Sequence, residues 1–330
     1  MRIALLHNTR PAQLPAGMPD DAFEEFDTEE TVACIAAALE ELGAEVEPVT
    51  ADRCLPWRLV EGQYDFAFNI AEGEGRRCRE AIPAAVCELL GVPFTGSDAL
   101  TLAITLDKQM ARRIVSPDLP VARGRVVESE EDAARLAALT YPALVKPNDE
   151  GSSKGIRESG AIAPDAAAAA EACRRLRSRY GCPVLVEEFL PGPEVTVGVV
   201  GNGAEARVLG MMEIASAGGN GPFVYSVEVK RDFHRRARFH MPPRLPAAAL
   251  DALAQRALAA FRLLGCRDVA RLDFRLDAAG EPRFLECNPL PGLDPESSDL
   301  VILSRAVLPY DELVCGILID AARRLSIPLP

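Results

Sequence analysis

The run "VARLDFRLDAAGEPRFLECNP", Val269 to Pro289, limits the fold more tightly than any other part of the chain. Two segments with strand-like alternation flank "AAGE", a four-residue hairpin loop between Asp277 and Pro282. Pairing Asp277 with Pro282 sets Asp273 opposite Glu286 and Arg271 opposite Asn288, and the period of two puts all four on one face. Glu and Asn are depleted from strands, so their presence there needs a reason. Two carboxylates placed so close repel each other and call for a cation between them. Oxygen donors with no His or Cys select a hard ion such as Mg²⁺, whose octahedron is usually completed by phosphate oxygens. The face reads as a metal shelf for a nucleotide, and the competing reading is an ordinary ion-pair network on a surface hairpin.

What precedes the hairpin has a different rhythm. The first hundred residues alternate strand-like and helix-like runs: "RIALLH", a helix from Thr28 to Leu42 with Asp27 and Glu30 as its capping pair, "AEVEPV", "DFAFNI", a helix from Arg79 to Leu90, and "VPFTGS". That order predicts a parallel sheet flanked by helices. The Pro-rich, acidic segment 11–27 is expected to be a surface loop. A second unit opens with one helix over "ALTLAITLDKQMARRIV" and continues through "ARGRVV", an Ala-rich helix, "ALVKP", another Ala-rich helix and "VLVEEF". The third runs from Glu194 to the end, with a long helix between Pro246 and Leu264, the hairpin and a closing helix.

With 330 residues, 48% of them hydrophobic, the chain can bury several cores. A formal charge of -13 argues against a nucleic-acid or anionic-membrane surface, and no stretch approaches the roughly 20 apolar residues of a membrane span. Nine Cys without a Cys-x-x-Cys pair suit a reducing compartment, so a cytoplasmic location is expected.

Two further segments carry chemistry. In "ALVKPNDEGSSKGI" a short apolar strand delivers Lys146, and a small-residue loop follows that can bring backbone N–H groups and hydroxyls against phosphate oxygens. A mobile surface loop would have the same composition. In "VLVEEFLPGPEVTVGVV" a Pro-Gly turn joins two strands, so that Glu187 can accept from an adenine amino group, the Leu190 backbone can donate to the ring, and Glu194 can accept ribose hydroxyls. Taken singly, each Glu reads as solvated rather than functional.

In this order the pieces resemble the ATP-grasp superfamily, and within it the D-alanine:D-alanine ligase family. "KPNDEGSSKG", "EEFLPGPE" and "RLDFRLDAAGEPRFLECNPLPG" resemble its phosphate loop, adenine hinge and metal hairpin, and "GVPFTGSDALTLAITLDK" looks like the passage into its central domain. The resemblance implies an α/β (α+β) ATP-grasp fold of three domains, 1–105, 106–193 and 194–330, with ATP between the last two. It further implies that Lys108, Lys146 and Lys230 contact the phosphates beneath the loop Glu150, Gly151, Ser152, Ser153, Gly155, and that Glu187, Glu188, Leu190 and Glu194 hold adenine and ribose. Asp273, Glu286 and Asn288 would bind two Mg²⁺, with Mn²⁺ as a substitute. Arg271 and the Gly292 backbone would stabilise the tetrahedral intermediate, with Ser152 and Lys230 beside them, and Ser297 would take the acceptor's carboxylate. The implied reaction makes an acyl phosphate that an amine attacks, giving an amide, ADP and phosphate.

The chain departs from that family in two places. Near the N-terminus its ligases carry a Gly-rich turn and a Glu for the first substrate's ammonium, whereas this chain has "HNTRPAQLPAGMPDDAFEEFDTEE". After Lys230 they carry a loop-locking Tyr, and here Arg231 opens the basic run "KRDFHRRARFH". Arg231 is expected to read an anionic substrate group, and Glu72, Arg77 and Glu80 in "NIAEGEGRRCRE" to join the substrate pocket. The substrates are expected to be amino-acid-like small molecules, D-alanine or those of a specialised amide ligase, with a homodimer compatible and neither nucleic acid nor membrane as partner. A non-catalytic ATP-binding regulatory module is the rival of another class.

Overall fold

A computed structural model describes residues 1–75, 77–218 and 221–329. Three sheets organise them. Strands β1 (Arg2–His7), β2 (Glu45–Thr50) and β3 (Phe66–Asn69) form a parallel sheet in the order β2-β1-β3. Parallel pairing needs crossovers, and the helices Glu29–Glu40 and Leu55–Gly62 supply them. Strand β1 is buried after its first residue, with Ile3 and Leu5 in one core and Ala4 and Leu6 in another, as expected of a strand covered on both faces.

A small antiparallel sheet follows: β4 (Gly124–Val127), β5 (Ala143–Pro147), β6 (Ile162–Ala163) and β7 (Val184–Glu188), ordered β4-β7-β5-β6, with the helix Ala166–Tyr180 on it. The large antiparallel sheet contains β8 (Glu194–Val200), β9 (Arg207–Ser216), β10 (Ala237–His240), β11 (Val269–Leu276) and β12 (Pro282–Asn288), in the order β10-β9-β8-β11-β12. The helix Ala247–Leu263 buries Leu253, Ala257, Ala260 and Phe261 against one face of it. The other face packs towards the closing helix Tyr310–Leu325 and the first sheet.

Four local expectations change. The run "ALTLAITLDKQMARRIV" is two helices, Ala99–Leu106 and Lys108–Val115, because Asp107 leaves helical geometry (φ -84°, ψ 97°) and caps the second by accepting from the Met110 N–H. The first helix is capped by Thr28, which accepts from Thr31 N–H, so Asp27 is left half-buried outside the cap and Glu30 has no capping role. The segment "VPFTGS" forms only an isolated bridge between Phe94 and Ala67. The fourth change lies in the hairpin. Near the turn Leu276, not Asp277, faces Pro282, and Asp277 instead accepts from Ala279 and Glu281 N–H. A bulge at Leu285 then adds one residue to β12, so Asp273 still faces Glu286 and Arg271 still faces Asn288.

Candidate active site

The hairpin face is the floor of a cleft. Asp273 is buried and accepts from the Thr196 hydroxyl at 2.8 Å, from the Asn288 amide at 3.2 Å, and from Arg271 at 2.9 Å. Arg271 extends between Asp273 and the buried Asp299, whose carboxylate is 3.4 Å away. Lys108 stands 3.5 Å and Lys146 4.0 Å from Glu286. Burial opposes ionisation of Glu286, but Lys108, Lys146 and Arg271 overcome it and hold the carboxyl at about 2. Asp273 is pushed the other way, by burial and by Glu286 across the ladder, although Arg271 opposes the shift. A face of oxygen donors with one carboxylate still disfavoured by its neighbour fits a hard divalent ion.

The two lysines arrive by different routes. Lys146 lies one residue before the end of β5 and is pinned by Glu187 on the adjacent β7, 2.8 Å away. Burial works against its charge, yet Glu187 and Glu286 together push Lys146 up. Glu187 is itself buried and also pairs with Arg112 at 3.0 Å, so its carboxylate is engaged on both oxygens. Lys108 begins the helix that Asp107 caps, and it donates to the Glu150 carbonyl. The helix break is what aims it.

Above this floor the loop 150–155 turns back sharply. Ser152 and Ser153 both have positive φ, 48° and 59°, and Gly155 has 77°, geometry that sets successive N–H groups in one concavity. Ser153 donates to the Tyr225 carbonyl at 2.7 Å and the Lys230 ammonium lies 3.3 Å from the Ser152 hydroxyl. Leu144, Ile156, Phe189, Leu190, Tyr225 and Leu285 line an apolar slot. Glu194 sits at its edge beside Arg275 at 3.1 Å, and Arg275 lies over the Phe189 ring. Glu188, also at the slot, accepts from Arg123 N–H.

A second cavity opens from the same floor toward the first sheet. Lys108, Ser152, Lys230, Arg271, Glu286, Asn288, Gly292 and Ser297 line its catalytic end. Glu72 and Glu80 line the far end, with Glu25 and Asp27 of the N-terminal loop and Asp294. One carboxylate oxygen each from Glu25, Glu72 and Glu80 lie within 4.8 Å of one another. Burial, with Glu25 adding to it against Arg79, raises Glu80 to about 7, and burial and Glu80 together push Glu72 well up. The Ser297 hydroxyl donates to Asp294 at 2.7 Å. Arg77 points elsewhere, to Asp107.

The segment 11–27 is not a free surface loop. Asp21 is fully buried and accepts from Gly155 N–H at 3.0 Å and the Tyr180 hydroxyl at 2.8 Å, while pairing with Arg157 at 2.8 Å. Glu25 accepts from Gly151 N–H and from Arg79. Arg231 is drawn into this strap. Its guanidinium binds Glu24 and Asp20, and none of residues 231–240 lines either cavity. The basic segment meets acidic neighbours, among them Glu158, which Arg236 reaches at 2.7 Å. Glu25, Asp27, Arg79, Arg112, Arg275 and Asp299 had no functional signal in the sequence, the five other than Asp27 because each works through a distant partner. Asp27 alone adjoins a segment, the start of the first helix, where a charged residue invited attention.

Residues 115–319 match the family model "D-ala D-ala ligase C-terminus". The chain is 34% identical over 288 residues to a D-alanine–D-alanine ligase of Gloeobacter violaceus, covering 85% of this chain and 89% of that one. The fold is similar to a Bacillus anthracis D-alanine–D-alanine ligase crystallised with ATP (TM-score 0.72, 21% identity, 99% of both chains). It is equally similar to the VanG D-Ala:D-Ser ligase of Enterococcus faecalis (TM-score 0.72, 20% identity, 97% of this chain and 99% of that one). The family match over residues 115–319, with a relative at 34% identity over most of both chains and the same fold in solved ligases, leaves one conclusion: the chain belongs to the D-alanine–D-alanine ligase family of ATP-grasp ligases.

Proposed function

We propose that the chain joins the carboxylate of one amino-acid-like substrate to the amine of a second, converting ATP to ADP and phosphate by way of an acyl phosphate. The observation that carries this reading is the convergence of Lys108 and Lys146 on Glu286, opposite Asp273 and beside Arg271. ATP is read into the apolar slot, between the units 106–193 and 194–330, with the first unit, 1–105, on the substrate side. Asp273, Glu286 and Asn288 are the residues to hold Mg²⁺, two ions in this reading, and the metal would offset charge on the transferring phosphoryl group. Lys108, Lys146, Lys230 and the N–H groups of the loop 151–155 add to that neutralisation. At the next step Arg271 and the Gly292 N–H face the carbonyl oxygen that becomes negative, and Ser297 orients the acceptor.

The test is product analysis with amino-acid pairs. ADP and phosphate in equal amounts with an amide of the expected mass support the reading, whereas AMP and pyrophosphate would replace the acyl phosphate with an adenylate. A homodimer is supported by Trp57, Val60, Leu89 and Leu100, exposed on neighbouring helices of the first unit, and light scattering checks it. A cytoplasmic location is supported by nine free cysteines. No helix among the described residues is long and apolar enough to cross a membrane.

A further inference from the structure

The substrate cavity has an imbalance of charge that its catalytic end does not explain. Of the acidic residues at its far end, Glu24 pairs with Arg231 and Glu25 with Arg79. Asp27, Glu72, Glu80 and Asp294 also line the cavity, and no ion pair to any of them is formed among the described residues. Glu80 is more than nine-tenths buried, opens on the cavity, and receives no hydrogen bond from a described residue.

The cations that line the same cavity are Arg10, Lys108, Lys230 and Arg271. Arg10 donates to the backbone carbonyls of Glu24 and Phe26, and the other three stand at the catalytic end. Arg79, held by Glu25, and Lys108, held near Glu286, act on Glu80 without forming an ion pair to it, so among the described residues no cation at the far end is free to receive an anionic side chain. An ordinary α-amino acid brings one ammonium, and the second substrate's amine has to be neutral when it attacks. One positive charge against that wall leaves buried carboxylates without a partner, a costly arrangement that is relieved by protonation or by more positive charge on the ligand.

Building on the ligase reading, we infer that one substrate carries a second positive charge, as an amino acid with an amine-bearing side chain or a diamine does, and that its distal ammonium enters the cage of Glu25, Glu72 and Glu80. Three oxygens within 4.8 Å of one another match the three N–H donors of an ammonium. They suit a compact ammonium better than a planar guanidinium, which favours a fork on a single carboxylate.

The experiment pairs binding with turnover. Calorimetry with lysine, ornithine, alanine and glutamate, in the presence of Mg²⁺ and a non-hydrolysable ATP analogue, should show the diamino acids binding at least about tenfold more tightly than alanine, with no binding of glutamate. Glu80→Gln and Glu72→Gln should each lower affinity for the diamino acids by more than they lower that for alanine, a selective loss that a structural defect would not produce. Tightest binding of alanine, equal losses for every ligand in the variants, or a cage that binds Mg²⁺ or Mn²⁺ without nucleotide would each overturn the inference. ADP release with the same panel separates the two levels. Selective diamine binding without amide formation would sink the ligase reading alone, and turnover of two alanines with no selectivity would sink this one alone.

Discussion

The two ends of the substrate cavity are built on opposite electrostatic terms. At the catalytic end every buried carboxylate has a cation in reach: Glu286 has two lysines, and Asp273 and Asp299 share Arg271. At the far end the carboxylates outnumber their partners, and burial with mutual repulsion pushes Glu72, Glu80 and Asp27 up. A balanced site is ready for a ligand that brings its own anions and cations together, as a nucleotide with Mg²⁺ does. An unbalanced one is completed by a ligand of a single sign.

The largest test of this contrast is Glu286→Gln. It removes the one carboxylate shared by both lysines and should cut turnover by at least about 10²-fold in a folded protein. Near wild-type phosphate release from a folded variant would mean that the hairpin face holds no catalytic metal. Lys146→Met comes next. It leaves the buried Glu187 with Arg112 as its one remaining ion-pair partner among the described residues, so denaturant unfolding should show a loss of about 3 kcal/mol together with a raised KM for ATP. Unchanged stability would show that Glu187 is not dependent on the pair.

Asp21→Asn should have a more local effect. The side chain keeps its shape but loses its charge toward Arg157, and a deficit of about 1 to 3 kcal/mol should appear as faster amide exchange over residues 151–157 and weaker ATP binding. Uniform exchange across the chain would assign Asp21 to general stability only.

The pH dependence separates the two ends directly. Glu80 and Asp27 are both raised to about 7 in the folded chain, chiefly by burial. Folding therefore strengthens their hold on a proton, and the stability they contribute is fully present below their ordinary values of 4.5 and 3.8 and is lost as pH rises through about 7. Glu286, lowered to about 2, does the reverse: its contribution stands above pH 4.5 and is lost as pH falls through about 2. Melting curves of Glu80→Gln should therefore flatten between pH 5 and 7 relative to wild type, within the range set by those shifts. Superimposed profiles would show that the cage does not titrate there. The smallest effect is expected for Arg231→Ala, whose pairs with Asp20 and Glu24 are about two-fifths exposed on the arginine side. Stability should change by about 1 kcal/mol or less, with amino-acid KM values unmoved. A large rise in one KM would restore the expectation that Arg231 reads the substrate.

The catalytic end was legible in the sequence for a simple reason. Its parts are continuous: one hairpin carries Arg271, Asp273, Glu286 and Asn288, and one loop carries residues 150–155, so strand period and loop composition place them without knowledge of the rest. The bulge at Leu285 offsets the one-residue shift at the turn, so strand period still pairs Asp273 with Glu286, and nothing in "RFLECN" announces such a bulge. The far end was not legible because Glu25 and Asp27 of the N-terminal segment meet Glu72, Glu80 and Asp294, all remote from them in the chain, only through the packing of the first sheet. Composition misled as well: an acidic, Pro-rich stretch looks solvated until Asp21 finds Tyr180 and Arg157, and a basic stretch looks like an anion site until Arg231 finds Asp20 and Glu24. Likewise the apolar run through Leu106 hides the break at Asp107, where a cap in the middle of a helical pattern is invisible to periodicity.

Glu25 faces two ways. One of its oxygens holds the Gly151 N–H and Arg79, and it also belongs to the cage at the far end of the cavity. A carboxylate shared between the cover over the phosphates and the seat of a substrate makes the two occupancies thermodynamically linked, since any ligand that draws on Glu25 alters its hold on the loop, and any shift of the loop alters what Glu25 offers the ligand. Such linkage bears on economy of fuel. On the ligase reading, a cover and a substrate seat that share one carboxylate would together limit the entry of water to the acyl phosphate, so Glu25 would bear on the ratio of nucleotide spent to amide formed, readable as the ADP released in excess of amide.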